Sequence, residues 1–170
     1  MKIYKILWNP EEFLENIFEN ISKSGIDVSE LELDHICYRV ETLEKYLELK
    51  KDLLKVWKLL KENLILWRKI STFKLKNPII YKNRKIYLLE LPSPKEWSYY
   101  KEWYEHVEFV IKDSFNDFID KYSDVKFNKK AINKDRNPDI KIKYTQEIWE
   151  YKNISVKFHH NSLESVINSW

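Results

Sequence analysis

Two stretches of this chain share one pattern, 71 positions apart (106 minus 35): "LDHICYRV" at residues 33–40 and "YEHVEFVI" at 104–111. Each places an acid, a histidine and a β-branched residue at the head of alternating apolar positions, the pattern of a half-buried strand. The elements after each strand recur as well. After the first comes a helical stretch, 41–63, with Leu43, Leu47, Leu54, Trp57 and Leu60 on one side. Three strand-like runs come next, "LILWRKI", "STFKLK" and "KIYLLEL", with a turn at Lys82-Asn83 and a stop at Pro92 and Pro94. After the second strand, "SFNDFIDKYS" reads as a helix with Ser114 at its N-cap. "VKFN" reads as a short strand, "PDIKIKYTQ" as a half-buried strand and "NISVKFHH" as the closing strand. The order is βαβββ, linker, βαβββ. It predicts one α+β domain over 1–170, with a first module at 33–91, a linker at 92–104 and a second module at 105–160. Two copies of one unit pair most simply about a pseudo-twofold axis.

Two segments lie outside the repeat. Residues 1–30 form an N-terminal extension, in which "NPEEFLENIFENISKSG" reads as a capped helix. Asn9 is its predicted N-cap, Pro10 its first residue and Glu12 its capping-box acid. Phe13, Ile17 and Ile21 form its apolar stripe, and Gly25 is its left-handed end. Residues 161–170, "NSLESVINSW", supply a short C-terminal helix.

Several function classes drop out on composition. Gly25 is the single glycine, so every glycine-rich phosphate loop is excluded. Thirty Lys+Arg stand against 27 Asp+Glu, a surplus of three that is too small and scattered to argue for nucleic acid. No apolar run approaches the roughly 20 residues of a membrane helix, and acids come too early at the N-terminus for a signal peptide. Cys37 is the one cysteine, sits inside a strand and reads as a small core residue. These features predict a cytoplasmic protein with no membrane or nucleic-acid partner.

The four histidines supply the strongest chemical signal, because all lie in strands at module edges. Alternation puts His35, Cys37 and Arg39 on one face, His106, Glu108 and Val110 on another, and Glu90 with Leu88 and Ile86 on a third. If these faces line one cavity, two imidazoles and a carboxylate converge on a divalent cation such as Zn, Ni, Fe, Co or Mn. Asp34 alternates away from His35 and is not expected to be a ligand. On the last strand Ser155, Lys157 and His159 share a face, and His160 reads as a surface residue.

The stretches "DHICYRV", "LELPSP", "EHVEFVI", "NPDIKI" and "ISVKFHHNSLESVI", in that order from residue 34 to about 167, resemble the YecM-like family of the vicinal oxygen chelate superfamily. That superfamily holds glyoxalases, extradiol dioxygenases and bleomycin-resistance proteins. The resemblance implies paired βαβββ modules forming an open, cup-like barrel around a metal, with His35, Glu90 and His106 as ligands. It supplies no reaction, because membership of the family does not by itself fix one. One departure stands out: the second module of glyoxalases also closes with a glutamate, and "ISVKFHH" has none. Aligning Glu90 with His159 is an offset of 69 and with Phe158 an offset of 68 (159 or 158 minus 90). His159 is therefore carried as a weaker fourth ligand, and Lys157 as an anion-binding or acid–base group.

These features predict a metal-dependent isomerase, lyase or dioxygenase acting on a small oxygen-chelating substrate, as a monomer or homodimer. Glu108 is the expected base and Arg39 the expected holder of a substrate carboxylate or phosphate. A metal-free ligand-binding cup, with Trp97, Tyr99, Tyr100, Trp103 and Tyr104 at its mouth, is the alternative, as is a regulatory protein.

Overall fold

The computed structural model describes residues 3–65, 67–96, 100–145 and 153–169. Its first α-helix, α1 (Glu11–Lys23), starts where the prolyl ring fixes the backbone, and the Asn9 side chain accepts the Glu11 amide at 3.2 Å. It ends as expected. Gly25 takes φ 70°, and the Ile26 amide reaches back to the Ile21 carbonyl at 3.3 Å. Phe13, Leu14, Ile17 and Ile21 are buried.

The first module contains β1 (Glu32–Arg39), α2 (Leu43–Leu54), β2 (Lys58–Ile65), β3 (Arg68–Tyr81) and β4 (Arg84–Pro92). The element order holds, but four details differ from the sequence reading, one being that "LILWRKI" is divided between the end of β2 and the start of β3, which pair with each other. The helix stops at Leu54, with the Trp57 amide closing on the Leu53 carbonyl at 2.8 Å, and 58–63 becomes strand. The pattern of "KLLKEN" fits a helix locally, and antiparallel pairing of β2 with β3 outweighs that propensity. The buried face of α2 is Tyr46, Leu49 and Leu53, whereas Leu43, Leu47 and Leu54 are about half exposed. Tyr46 selects this face because its hydroxyl hydrogen-bonds Ser71 and Glu62 at 2.7 Å each. Finally, "STFKLK" and the following "IIY" belong to one long strand, β3, which turns at Lys82 (φ 51°) into β4.

The second module contains β5 (Trp103–Val110), α3 (Phe115–Lys121), β6 (Ile140–Thr145) and β7 (Asn153–His159), followed by α4 (Leu163–Asn168). The predicted strand "VKFN" shrinks to one bridge, Asn128 to Lys141. Ser114 caps α3 through the Asp117 amide, as its sequence predicts.

The seven strands of the described residues form one open sheet in the order β2-β3-β4-β1-β5-β7-β6. Within each module the first strand runs parallel to the last, β1 with β4 and β5 with β7, and β1 meets β5 antiparallel. The modules are therefore related about the β1–β5 seam. One face of the sheet is apolar, with Ile36, Phe73, Leu89, Val107, Phe109, Val156 and Phe158 packed with residues of α1, α2 and α3. The other face is polar at its centre. There α4 packs Leu163 and Ile167 on Leu88, and Glu164 is held by Lys74 at 2.6 Å.

The buried face of α2 gives a direct test. Leu53→Ala is expected to cost about 2–5 kcal/mol in denaturant unfolding, and Leu47→Ala less than about 0.5 kcal/mol. The reverse ranking contradicts the packing described.

Candidate metal centre

The seam between the modules places the site. In the antiparallel register His35 stands opposite Glu108 and Cys37 opposite His106, while in the parallel register Cys37 stands beside Glu90. His35, Glu90, His106 and Glu108 thus leave three adjacent strands on the polar face. One ligand atom from each falls in a group whose members all lie within 4.8 Å of one another. The His35 Nε2 is 3.4 Å from Glu108 Oε1 and 3.6 Å from Glu90 Oε2. The His106 Nε2 is 3.1 Å from Glu108 Oε1 and 3.7 Å from Glu90 Oε2.

The donor set fits a divalent cation of the borderline type: two imidazole nitrogens and two carboxylate oxygens, close together and largely out of water. His35 adds a further sign. Its side chain is 1% exposed, and its Nε2 has no hydrogen-bond partner although it points at two carboxylates. An unsatisfied buried nitrogen costs free energy, and a cation at that point satisfies it.

A bulge orients the imidazole. The pairing Leu33–Phe109 is followed by His35–Glu108, so Asp34 is an extra residue on β1. The bulge breaks strict alternation, and the Asp34 carboxylate turns back to the His35 side, contrary to the expectation from sequence. Asp34 Oδ2 lies 2.8 Å from His35 Nδ1 and accepts the Leu163 amide at 2.9 Å. This is how a carboxylate fixes the ring so that Nε2 faces the site.

Charge explains the protonation states. Burial opposes charging His35, but Glu108, Asp34 and Glu90 outweigh it and hold its pKa well above the usual imidazole value. Burial likewise opposes ionising Glu108 and Glu90. For Glu108, Lys157 and the two histidines reverse that and hold the carboxyl well below its usual range. For Glu90, His106 and His35 lower it. Burial and then Glu108 act on Lys157 in opposite senses, and the carboxylates prevail to raise its pKa. Burial pushes the Cys37 thiol well up, with Glu105 and Glu90 adding to it, so it is a packed thiol and no nucleophile.

The remaining residues singled out from sequence fall in different places. Lys157 joins the cluster: its ammonium hydrogen-bonds Glu108 and lies 3.1 Å from His106 Nε2. His159 falls in a second group with Asp34 and His35: its buried Nε2 has no hydrogen-bond partner and lies 3.5 Å from Asp34 Oδ2 and 3.8 Å from Glu108 Oε2, and its Nδ1 meets Asn137 Oδ1 at 3.1 Å. Arg39, the last residue of β1, lies 4.9 Å over the Tyr100 ring and lines neither cavity beside the cluster. His160 is on the surface, against Phe115. Tyr104 stacks on Phe13 in the core, Trp103 packs against that core, and Trp97 and Tyr99 lie outside the described residues. Asp34 was missed because a bulge has no local sequence mark.

The register also settles the symmetry question. His35 beside Leu88 matches His106 beside Ser155, and Cys37 beside Glu90 matches Glu108 beside Lys157. The counterpart of Glu90 is therefore Lys157, an offset of 67 (157 minus 90), and neither His159 nor Phe158. The second carboxylate, Glu108, comes from the position that Cys37 holds in the first module.

A cavity of about 910 Å³ opens over the cluster. His35, Glu90, Glu108 and Lys157 form part of its floor, and the end of β2, the 133–139 loop and α4 form its walls.

The raised His35 pKa has a defined effect on stability. A base whose folded-state pKa is raised contributes below its unfolded value, about 6.5, and loses that contribution as pH rises through the folded value. In EDTA, the stability difference between the wild type and His35→Gln is expected to be larger at pH 5.5 than at pH 9. A difference that grows with pH contradicts the charge arrangement.

Comparison with known proteins agrees with this architecture. The family described as YecM protein matches residues 3–169. An uncharacterized protein of Haemophilus influenzae is 27% identical over 157 residues, covering 84% of this chain and 81% of its own. Protein YecM of Escherichia coli is 31% identical over 102 residues, 58% of this chain and 53% of its own. Among solved structures, a structural-genomics protein, EC4020, superposes with a TM-score of 0.71 at 24% identity over 93% of this chain and 87% of that one. Methylmalonyl-CoA epimerase in complex with methylmalonyl-CoA and NH4+ superposes at 0.50 and 13% identity, over 78% and 96% of the two chains, a likeness of fold. No helix among the described residues is long and apolar enough to cross a membrane. With the family match running almost end to end, the chain belongs to the YecM family.

Proposed function

We propose that this protein is a metal-dependent enzyme of the isomerase or lyase type. On this reading His35, Glu90, His106 and Glu108 hold one divalent ion, of Zn, Ni, Fe, Co or Mn type. The observation that carries it is the convergence of two imidazoles and two carboxylates from both modules, with the His35 Nε2 buried and unpartnered. A divalent ion held there supplies Lewis acidity to two vicinal oxygens of a small substrate.

The chain's own residues supply proton handling. Glu108 is the carboxylate placed to accept a proton from a carbon acid, although its neighbours hold its pKa well below the usual range and so weaken it as a base, and the Lys157 ammonium stabilises negative charge beside it. Asp34 keeps the His35 Nε2 unprotonated and aimed at the cluster when the ring is neutral. Two carboxylates and an ammonium suit proton transfer better than the two-histidine, one-carboxylate set of extradiol dioxygenases. A metal-free binding cup is the second reading, and one observation favours it. The Lys157 ammonium rests on two of the candidate ligand atoms, as a resident cation would.

The two readings differ in metal affinity. Metal-free wild type titrated with Zn, Ni, Co and Mn is expected to take up one ion per chain by calorimetry and elemental analysis. His35→Ala and Glu90→Gln are expected to weaken uptake by at least about tenfold each. Lys157→Met is expected to tighten it, because it removes a competing cation. Uptake in His35→Ala equal to the wild type refutes the ligand assignment. Absence of uptake in the wild type favours the metal-free cup.

A further inference from the structure

The cluster has a second hollow beside it, of about 400 Å³. Glu90 and Lys157 line both spaces and stand between them. Seven cationic side chains and three carboxylates line the second hollow, a surplus of four. The whole chain has a surplus of only three. The hollow's surplus thus exceeds that of the whole chain, although Lys157 is paired with Glu108 and Lys134 with Asp139.

Strand β6 makes the charge conspicuous. Ile140 and Ile142 face the core, so Lys141 and Lys143 face the hollow. In the β6–β7 register Lys141 stands directly opposite Lys157, and Lys143 opposite Ser155. Like charges directly opposite on one sheet face are destabilising. Lys157 has Glu108 for a partner, but Lys141 has no side-chain hydrogen bond or ion pair with a described residue, and neither has Lys143. Burial, followed by Lys157, pushes the Lys141 pKa down against the opposing pull of Glu105 and Asp139. Arg68 enters from β3. Its Nε donates to the Ser93 carbonyl, and its terminal nitrogens carry no ion pair with a described residue. A fold that keeps a half-buried cation unpaired beside another cation gives up stability that a bound anion restores.

We infer that this hollow is an anion subsite, in which Lys141, Lys143 and Arg68 hold a phosphate or carboxylate of the substrate. The inference rests on the proposed use of the cluster for the substrate's vicinal oxygens, and it names the substrate class. Lys141 faces Lys157 across one strand spacing of about 5 Å, and Lys157 in turn hydrogen-bonds Glu108 of the cluster, so the anionic group stands on the side of Lys157 away from the chelating oxygens. The substrate is a small phosphorylated or carboxylated acid, not a neutral aldehyde or ketone.

The test uses the metal-free full chain in EDTA at fixed ionic strength, with inorganic phosphate and malonate as probes, followed by calorimetry and thermal unfolding. At least one probe is expected to bind saturably and raise the unfolding temperature, and the stronger of the two identifies the group. Lys141→Met is expected to weaken that binding at least about tenfold. The same change is expected to raise the unfolding temperature of the unliganded protein, because it removes the repulsion from Lys157. A lysine with a purely structural role cannot give both signs. Lys143→Met is expected to weaken probe binding too, and Lys126→Met, on the exposed surface, to leave it unchanged. No binding of either probe, binding indifferent to Lys141→Met, or a lower unfolding temperature for that variant overturns the inference. So does salt-dependent binding of a single-stranded oligonucleotide without saturable binding of phosphate or malonate. Metal titration of the same preparation judges the cluster separately. Phosphate binding without metal uptake removes the enzyme reading and keeps the subsite, and metal uptake without anion binding removes only the subsite.

Discussion

The antiparallel pairing of β1 with β5 joins two modules into one sheet, and the rest of the structure is arranged around it. Each module alone has an edge strand whose backbone groups need a partner. The seam satisfies both edges at once and sets one register for the whole molecule. That register puts His35 against Glu108 and Cys37 against His106, so side chains far apart in sequence meet on one face. The same seam leaves the opposite face continuous and apolar, where α1, α2 and α3 supply the core. Core and site are thus two faces of one sheet, and a slip of one residue at the seam would exchange them.

The pseudo-symmetry of the cluster is imperfect, and its imperfections set which charged groups meet there. The histidines match across the seam. The partner positions do not: Glu90 is matched by Lys157, and Cys37 by Glu108. A strictly symmetric site would have carried a second glutamate where Lys157 stands. Here the carboxylate moves to β5, and a lysine is left beside it as a buried ion-pair partner. The result is a cluster with two imidazoles, two carboxylates and one ammonium, in which acid and base lie side by side. The bulge at Asp34 adds a second departure, because the extra residue lets a carboxylate grip the back of the His35 ring.

The sequence made some of this legible. Histidines at matching repeat positions, Glu90 at a module end and the polar face of β7 all follow from period-two alternation. Gly25 and the Lys82 turn follow from local backbone preference. Other features depend on contacts distant in sequence. The strand at 58–63 looks helical until β3 pairs with it, and α2 shows its true face only once Tyr46 finds Ser71. Asp34 looks turned away until the bulge is known. The opposition of Lys141 and Lys157 appears only when β6 and β7 are set in register. Net charge concealed the basic hollow, because a surplus of three does not say where in the fold it sits.

A centre shared by two modules is a geometric claim, and anomalous diffraction from cobalt-loaded crystals addresses it directly. The expected result is one ion per chain bound by His35, His106, Glu90 and Glu108 at about 2.0–2.2 Å, with the Lys157 ammonium moved off Glu108. An ion held by residues of one module alone, or crystals in which Lys157 keeps its place and no ion appears at the seam, would contradict it.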